Sequence, residues 1–337
     1  MNMDHCPVEI VAHIFSLACT DDDSTSRSLS LVSRGFRAVS EPLQFRCLAI
    51  SSYDKLKGIT QHLSAKPPHL RQVKHLFIDV HPQGNSRRGS GVSSTVALVV
   101  ELLNIVAPDL QSCTLCTQEH WSALLPLHLP ALTELTLYTH LSAQSFTQSL
   151  QAPKLKFLHI ACYSSFPSKL ADCFTRIAPD LTHLRISGVS QDRDNGDLLE
   201  AVASLSPGSE AEPDVHSDPP ATHNMSACAF PASLRTLVVA QAATRAIRFD
   251  SVYCLYTYLA SQLERLGAED TSGRLHVLKL APYKRATMYW DFLAYDEQVL
   301  ELREQWRSRL EGGCGCWNPK QVRVIPLTSR KPWLEVM

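Results

Sequence analysis

Leu132-Thr133-Glu134-Leu135-Thr136-Leu137 and Leu155-Lys156-Phe157-Leu158-His159-Ile160 share one pattern: a leucine, two residues, an apolar residue, one residue, an apolar residue. It returns as Leu181-Leu184-Ile186, Leu234-Leu237-Val239 and Leu275-Leu278-Leu280, and in looser form as Leu110-Cys113-Leu115 and Val73-Leu76-Ile78. Starts at 110, 132, 155 and 181 give steps of 22, 23 and 26 residues; the next step, to 234, spans two periods with an insertion. The last two apolar positions are two apart, so they share one face of a short strand, and the first leucine anchors the turn leading into it. Pro108, Pro130, Pro153 and Pro179 each stand two residues before that leucine. Proline lacks the N–H that a helix interior needs and biases its predecessor to extended geometry, so each copy reads as helix end, turn, strand.

Segments 92–107 and 167–178 suit helices between strands; in the second, Leu170, Phe174 and Ile177 are four and three residues apart, which lines one helical face. Strand plus helix at this period is the unit of leucine-rich repeats, and residues 70–285 resemble an irregular leucine-rich-repeat solenoid, an α/β architecture. An ordinary α/β domain with leucine-rich strands is the alternative. The resemblance implies that the strands line a concave side, where the residues alternating with the buried ones point outward. That set holds His75, Phe77, Asp79, Thr114, Glu134, Thr136, Tyr138, Phe157, His159, His183, Arg185 and Lys279. Exposed aromatics beside charges are the composition of a protein-binding face. Tyr138, Phe157, His159 and Arg185 are the candidate substrate-binding residues, because neighbouring repeats bring them together. Ordinary exposed residues, or residues buried by irregular repeats, are the plainer alternative.

Composition narrows the classes. The chain has 337 residues, 32 Lys or Arg against 33 Asp or Glu, and a net charge of -1, so no global field steers it to nucleic acid or an anionic membrane. A hydrophobic share of 45% belongs to a chain that buries a core. Eleven cysteines, an odd number at irregular spacing behind a start with no signal-peptide pattern, read as reduced thiols in a cytoplasmic or nuclear protein. The longest apolar run, near 96–107, carries Glu101 and is too short to span a bilayer. Residues 81–95, rich in Gly, Ser and Arg, read as a flexible loop. Residues 191–227, with eight acidic residues against Arg193 alone, read as a disordered insertion around a short helix at 198–205.

Residues 1–46 do not follow the repeat. Pro7 opens a helix with Ile10, Ile14 and Leu17 at helical spacing and Phe15 beside them; Asp21-Asp22-Asp23-Ser24 breaks it, and further helix follows before Pro42. So small a helical unit gains by pairing with a partner or with the next domain. Pro7-Val8-Glu9-Ile10, Ile14-Phe15 and Leu29-Ser30-Leu31-Val32-Ser33-Arg34 followed by Phe36-Arg37 resemble an F-box, with Cys6 where the family has leucine; residues 42–50 resemble the exit into the repeat domain of fungal F-box proteins. The resemblance implies a Skp-type adaptor bound by the helices, a cullin–RING ligase beyond it, and a protein substrate on the repeats. Adaptor contact falls on Pro7, Ile10, Ile14, Leu29, Leu31, Val32 and Phe36. The alternative is that these form only the module's own core, an even choice for Ile14 and Phe36.

No motif for chemistry stands out. Cys113-x-x-Cys116 lacks a matching ligand pair, and Cys113 sits at a buried repeat position, so both read as core thiols rather than metal ligands. Cys314-Gly315-Cys316 reads as a flexible turn. There is no Gly-x-Ser-x-Gly elbow and no phosphate-binding glycine loop, so neither catalytic residue nor cofactor is assigned. Residues 289–310 read as an amphipathic helix with Trp290, Leu293, Val299, Leu300, Leu302, Trp306 and Leu310, a cap over the last repeat or else a second interaction helix. The organisation expected is an F-box-like module at 1–46, an irregular solenoid at 47–285 and a capping tail at 286–337. The function expected is a non-catalytic substrate receptor of a Skp–cullin–F-box ubiquitin ligase. A leucine-rich-repeat scaffold outside ubiquitination comes second, and an enzyme with a cryptic site third.

Overall fold

A computed structural model describes residues 6–19, 24–80, 91–120, 127–140, 150–161, 170–189, 196–205, 230–241, 250–278 and 292–317. Six of its backbone carbonyls set the step from strand to strand. Each accepts from two successive N–H groups of the following strand at 2.8 to 3.1 Å: Arg46 from Lys74 and His75, Lys74 from Gln111 and Ser112, Gln111 from Thr133 and Glu134, Thr133 from Lys156 and Phe157, Lys156 from Thr182 and His183, and Thr182 from Arg235 and Thr236. The same two-donor joint recurs once per period, so the sequence repeat is also a hydrogen-bond repeat.

The strands so aligned are β1 (Cys47–Ile50), β2 (His75–Asp79), β3 (Ser112–His120), β5 (Glu134–His140), β7 (Phe157–Ala161), β8 (His183–Val189), β9 (Thr236–Gln241) and β10 (Leu275–Leu278). They form one eight-stranded sheet in chain order, and every neighbouring pair is parallel. Two short strands, β4 (Leu127–His128) and β6 (Leu150–Gln151), pair separately. Parallel neighbours need a crossover between them. Here it is supplied by α4 (Tyr53–Ala65), α5 (Gly91–Val106), α6 (Leu170–Ile177), α7 (Gly196–Ala203) and α8 (Asp250–Glu269), or by the β4 and β6 segments. The fold is mixed α/β.

All of these crossovers bury their apolar side against one face of the sheet. Leu56 and Leu63 of α4, Leu102 and Leu103 of α5, Leu170, Phe174 and Ile177 of α6, Leu198 of α7 and Leu263 of α8 join Leu48, Leu76, Cys113, Leu135, Leu158, Leu184, Leu237 and Leu275 in one continuous core. The prolines sit where a turn needs them. Leu132, Leu155 and Leu181 each donate their N–H to the carbonyl three residues back, which puts Pro130, Pro153 and Pro179 second in a four-residue turn. There the fixed φ of proline matches the turn.

Three details depart from the sequence expectation. The last strand is shifted by three residues: Leu275, not Leu278, lies beside Leu237, and Val277 lies beside Val239. Leucine content alone does not set register; the alternation Leu275-x-Val277 satisfies the same face. The sheet gains β1, whose Leu48 and Ile50 pair with Leu76 and Ile78. Helix α5 forms where a helix was expected at 92–107, and its start at Gly91 shortens the stretch expected as loop at 81–95. Residues 81–90, 191–195 and 206–227 lie outside the described residues, as does Lys279.

Ahead of the sheet stand α1 (Val8–Ala18), α2 (Ser24–Ser30) and α3 (Arg34–Ser40). Ser33 caps α3 by accepting from the N–H of Phe36 at 3.1 Å. Phe15 packs edge-to-face on Phe36 with ring centroids 5.1 Å apart, and Arg37 Nε donates to the Ser30 carbonyl. Arg46 Nη1 donates to the Ser16 carbonyl at 2.9 Å, which joins the last turn of α1 to the start of the sheet. After the sheet, α9 (Phe292–Leu310) and a short 3-10 turn at Gly315–Trp317 return to the face opposite the main core. The tail, expected as a cap on the last repeat, packs most closely on β2 and β3.

Candidate functional site

Two surfaces carry residues that the sequence singles out. The first lies on the helical module. Val11 and Phe15 turn inward from α1 at 6% and 3% exposure, while Ile10, Ile14 and Leu17, the stripe at helical spacing, are 50%, 45% and 66% exposed. Leu31 and Val32, in the turn between α2 and α3, are 79% and 65% exposed. With Val8, these make six of the eight large apolar residues that are exposed among the described residues. Among the described residues, apolar exposure is thus concentrated on this module. Pro7 is exposed with them, and Leu29 is half-buried. Ile14 and Phe36 separate: Ile14 faces solvent, whereas Phe36 packs on Phe15 inside the module.

The second surface is the sheet face opposite the main core. Register places Phe77, Thr114, Tyr138, His159, Arg185 and Glu134 together on it. The expectation of outward exposure does not hold for them. Tyr138 is 1% exposed, His159 2% and Arg185 5%, and Phe157 is half-buried. Their cover is the chain's own C-terminal segment. Val299, Leu302 and Trp306 of α9 pack with Ala49, Phe77, Cys116, Tyr138 and Ala161, and the Trp306 ring lies 5.7 Å from that of Phe77.

Polar contacts hold the edges of this cover. Glu134 accepts from Arg309 Nε at 3.0 Å through one oxygen and from Trp317 Nε1 at 2.9 Å through the other. Arg185 Nη1 donates to the Cys316 carbonyl at 2.6 Å, and its Nε donates to Ser187 Oγ at 3.0 Å. Tyr138 Oη donates to Gln298 Oε1. Trp317 lies against Phe157 at 5.3 Å, and Phe157 stacks on His183 at 4.5 Å with the Arg309 guanidinium 5.4 Å away.

A chain reversal after α9 makes these contacts reachable. Gly312 at φ 82° receives a Schellman cap: Gly313 N donates to the Ser308 carbonyl at 2.7 Å and Gly312 N to that of Arg309 at 3.1 Å. At Gly315, φ 56°, a Cβ would lie 2.5 Å from Arg309 Cγ. Sequence reading missed Trp317, Arg309 and the anchoring role of Glu134. The glycines at 312, 313 and 315 were the available signal, since glycine after an amphipathic helix marks a left-handed cap.

Electrostatics on this face favour neutral histidines. His159 Nε2 meets Ser187 Oγ at 3.0 Å, while its Nδ1 is buried without a hydrogen-bond partner. Burial, and then the Arg185 charge, hold its pKa well below the usual value. Burial takes His75 down to about 4, with Arg46 and Lys74 adding to it. Burial also lowers His183 and raises Glu301; the Arg185 charge opposes the latter. Cys113 and Cys116 face opposite sides of the sheet, one in each apolar cluster, so they do not converge on one ion. Burial raises both thiols. Among the described residues, no group of three or more His, Cys, Asp or Glu is placed to hold a metal, and no helix is long and apolar enough to cross a membrane. The first surface presents exposed apolar area, and the second holds aromatic rings edged by charge beneath the chain's own residues 299–317. No protein-family model matches the chain, and no curated protein is found to be similar to it.

Proposed function

We propose that the chain is the substrate receptor of a Skp–cullin–F-box ubiquitin ligase, itself without an active site and working in the cytoplasm or nucleus. The observation that carries this reading is the apolar stripe of the N-terminal module. Ile10, Ile14, Leu31 and Val32 are exposed at four of the positions where the F-box resemblance expects adaptor contact. Fully burying a side chain of this size contributes about 1.5–3 kcal/mol; Leu31 and Val32 have most of that left to gain and the half-covered Ile10 and Ile14 about half of it. Phe36, and in part Leu29, serve the module's own packing instead. The parallel strands in chain order, with one hydrogen-bond joint repeated per period, support reading residues 47–285 as an irregular leucine-rich-repeat solenoid that carries the substrate site.

Co-purification with a Skp-type adaptor tests the proposal, wild type against Pro7→Ala combined with Leu31→Asp. Leu31 is exposed, so the change leaves folding intact. Adaptor retained by the wild type and reduced at least tenfold in the variant is expected. A wild type that captures no adaptor removes the reading and leaves a repeat scaffold acting outside ubiquitination.

A further inference from the structure

We propose that the sheet face opposite the main core is a helix-binding site, that residues 292–317 are its internal ligand, and that its external partner is an amphipathic protein helix of the same chemistry. The inference deepens the reading of the repeats as the substrate domain and rests on it.

Four observations carry it. Among the described residues the main core is complete without the segment: no described side chain of α9 belongs to it, and the cluster under α9 is a separate one. The contact is built like an interface, with apolar residues at the centre and charged groups at the edge, in Glu134 with Arg309 and in Arg185 with the Cys316 carbonyl. It also leaves His159 Nδ1, Gln305 Oε1 and Trp306 Nε1 buried without a protein hydrogen-bond partner, so the polar groups at this contact are paired less completely than those of a usual core. Finally, α9 follows β10 in sequence but packs on β2 and β3, and β2 lies six strand spacings from β10, roughly 30 Å along the sheet. The segment is therefore held as a tethered ligand rather than as a neighbour of the strand it follows.

The occupant defines what the face reads. Apolar residues at i and i+3 (Val299 and Leu302), tryptophan at i+7 (Trp306) and arginine at i+10 (Arg309) meet the sheet, while Leu300 points away at 55% exposure. A partner helix with that spacing makes the same contacts once the tether is displaced, and its apparent affinity is its intrinsic affinity multiplied by the displaced fraction.

The test uses the full chain with a specific protease site inserted in residues 279–291. After cleavage, a fluorescein-labelled peptide of residues 292–317 is added and its anisotropy followed. The cut protein is expected to take up the peptide at least tenfold more tightly than the uncut chain, because the tether no longer competes. It is also expected to keep a cooperative thermal transition. Glu134→Ala in the cut protein, or Arg309→Glu in the peptide, weakens uptake at least tenfold; Leu300→Ala in the peptide does not. A designed helix of unrelated sequence carrying only the four spaced side chains competes, and its arginine-to-glutamate version does not. A cut protein that loses its cooperative transition, that never exchanges the peptide, or that ignores the spacing overturns the inference. Adaptor capture by the same cut protein is read separately, so retained capture without peptide exchange overturns this inference alone.

Discussion

Glu134 receives both the Arg309 guanidinium and the Trp317 indole N–H, so one carboxylate fixes the end of α9 and the turn beyond it. Hydrogen bonds to a charged group contribute about 1.5–3 kcal/mol. Glu134→Ala is expected to weaken docking of residues 292–317 by about 2 kcal/mol. Hydrogen exchange reads this as roughly thirtyfold faster exchange of the α9 amides, with strand amides unchanged. The histidines of the same face predict a pH response. His75, His159 and His183 have folded pKa values below the ordinary 6.5, so below that pH the unfolded chain binds more protons than the folded one. Stability is full above pH 6.5 and falls as acid is added, down to about pH 4 for His75. For the buried His75 and His159 each proton of difference contributes up to about 1.4 kcal/mol per pH unit, and for the more exposed His183 solvent screening leaves less. Urea midpoints between pH 7.5 and 5 check this, and His159→Phe is expected to reduce the slope.

At the scale of elements, α1 shows how one periodic stripe has two possible meanings. Ile10, Ile14 and Leu17 have the spacing of a core face, yet the inward face is Val11 with Phe15. The helix is apolar on two sides, and periodicity alone does not say which of them meets protein. Helix α9 poses the reverse case: its amphipathic pattern foretells that something covers it, and the glycine-rich reversal decides what. Gly312→Ala and Gly315→Ala both place a side chain at positive φ, and the second also collides with Arg309. Each is expected to destabilise docking by about 1 kcal/mol or more, the second by the larger amount. Tryptophan fluorescence of Trp306 and Trp317 during denaturant titration reads the loss.

For the whole molecule, one core of described residues runs from Leu48 in β1 to Leu275 in β10, so the burial of each strand depends on its neighbours. Leu135→Ala, at a fully buried position, is expected to lower stability by about 3 kcal/mol. Leu31→Ala, at 79% exposure, is expected to change it by less than about 0.5 kcal/mol. Chemical denaturation followed by far-UV circular dichroism separates the two.

The repeats were legible because their signals are local. Apolar residues two apart mark one face of a strand, and a proline two residues before the anchoring leucine marks its turn, so the faces of β2, β3, β5, β7, β8 and β9 follow from spacing, whereas the short β4 and β6 carry no such signal. The register of β10 was not legible, since Leu275 and Leu278 compete for one face and only the neighbouring strand chooses between them. Tyr138, His159 and Arg185 were correctly grouped on the second face by alternation, yet their exposure was not, because their cover comes from more than a hundred residues further along the chain. By itself the sequence determined which residues share a face, where the chain turns and which helices are amphipathic. Only the tertiary structure decided that α9 lies across the second face of the sheet while the stripe of α1 stays open. The physical reason is that periodicity encodes that a surface is apolar, whereas what covers it depends on shape, charge pairing and chain reach between segments far apart in sequence.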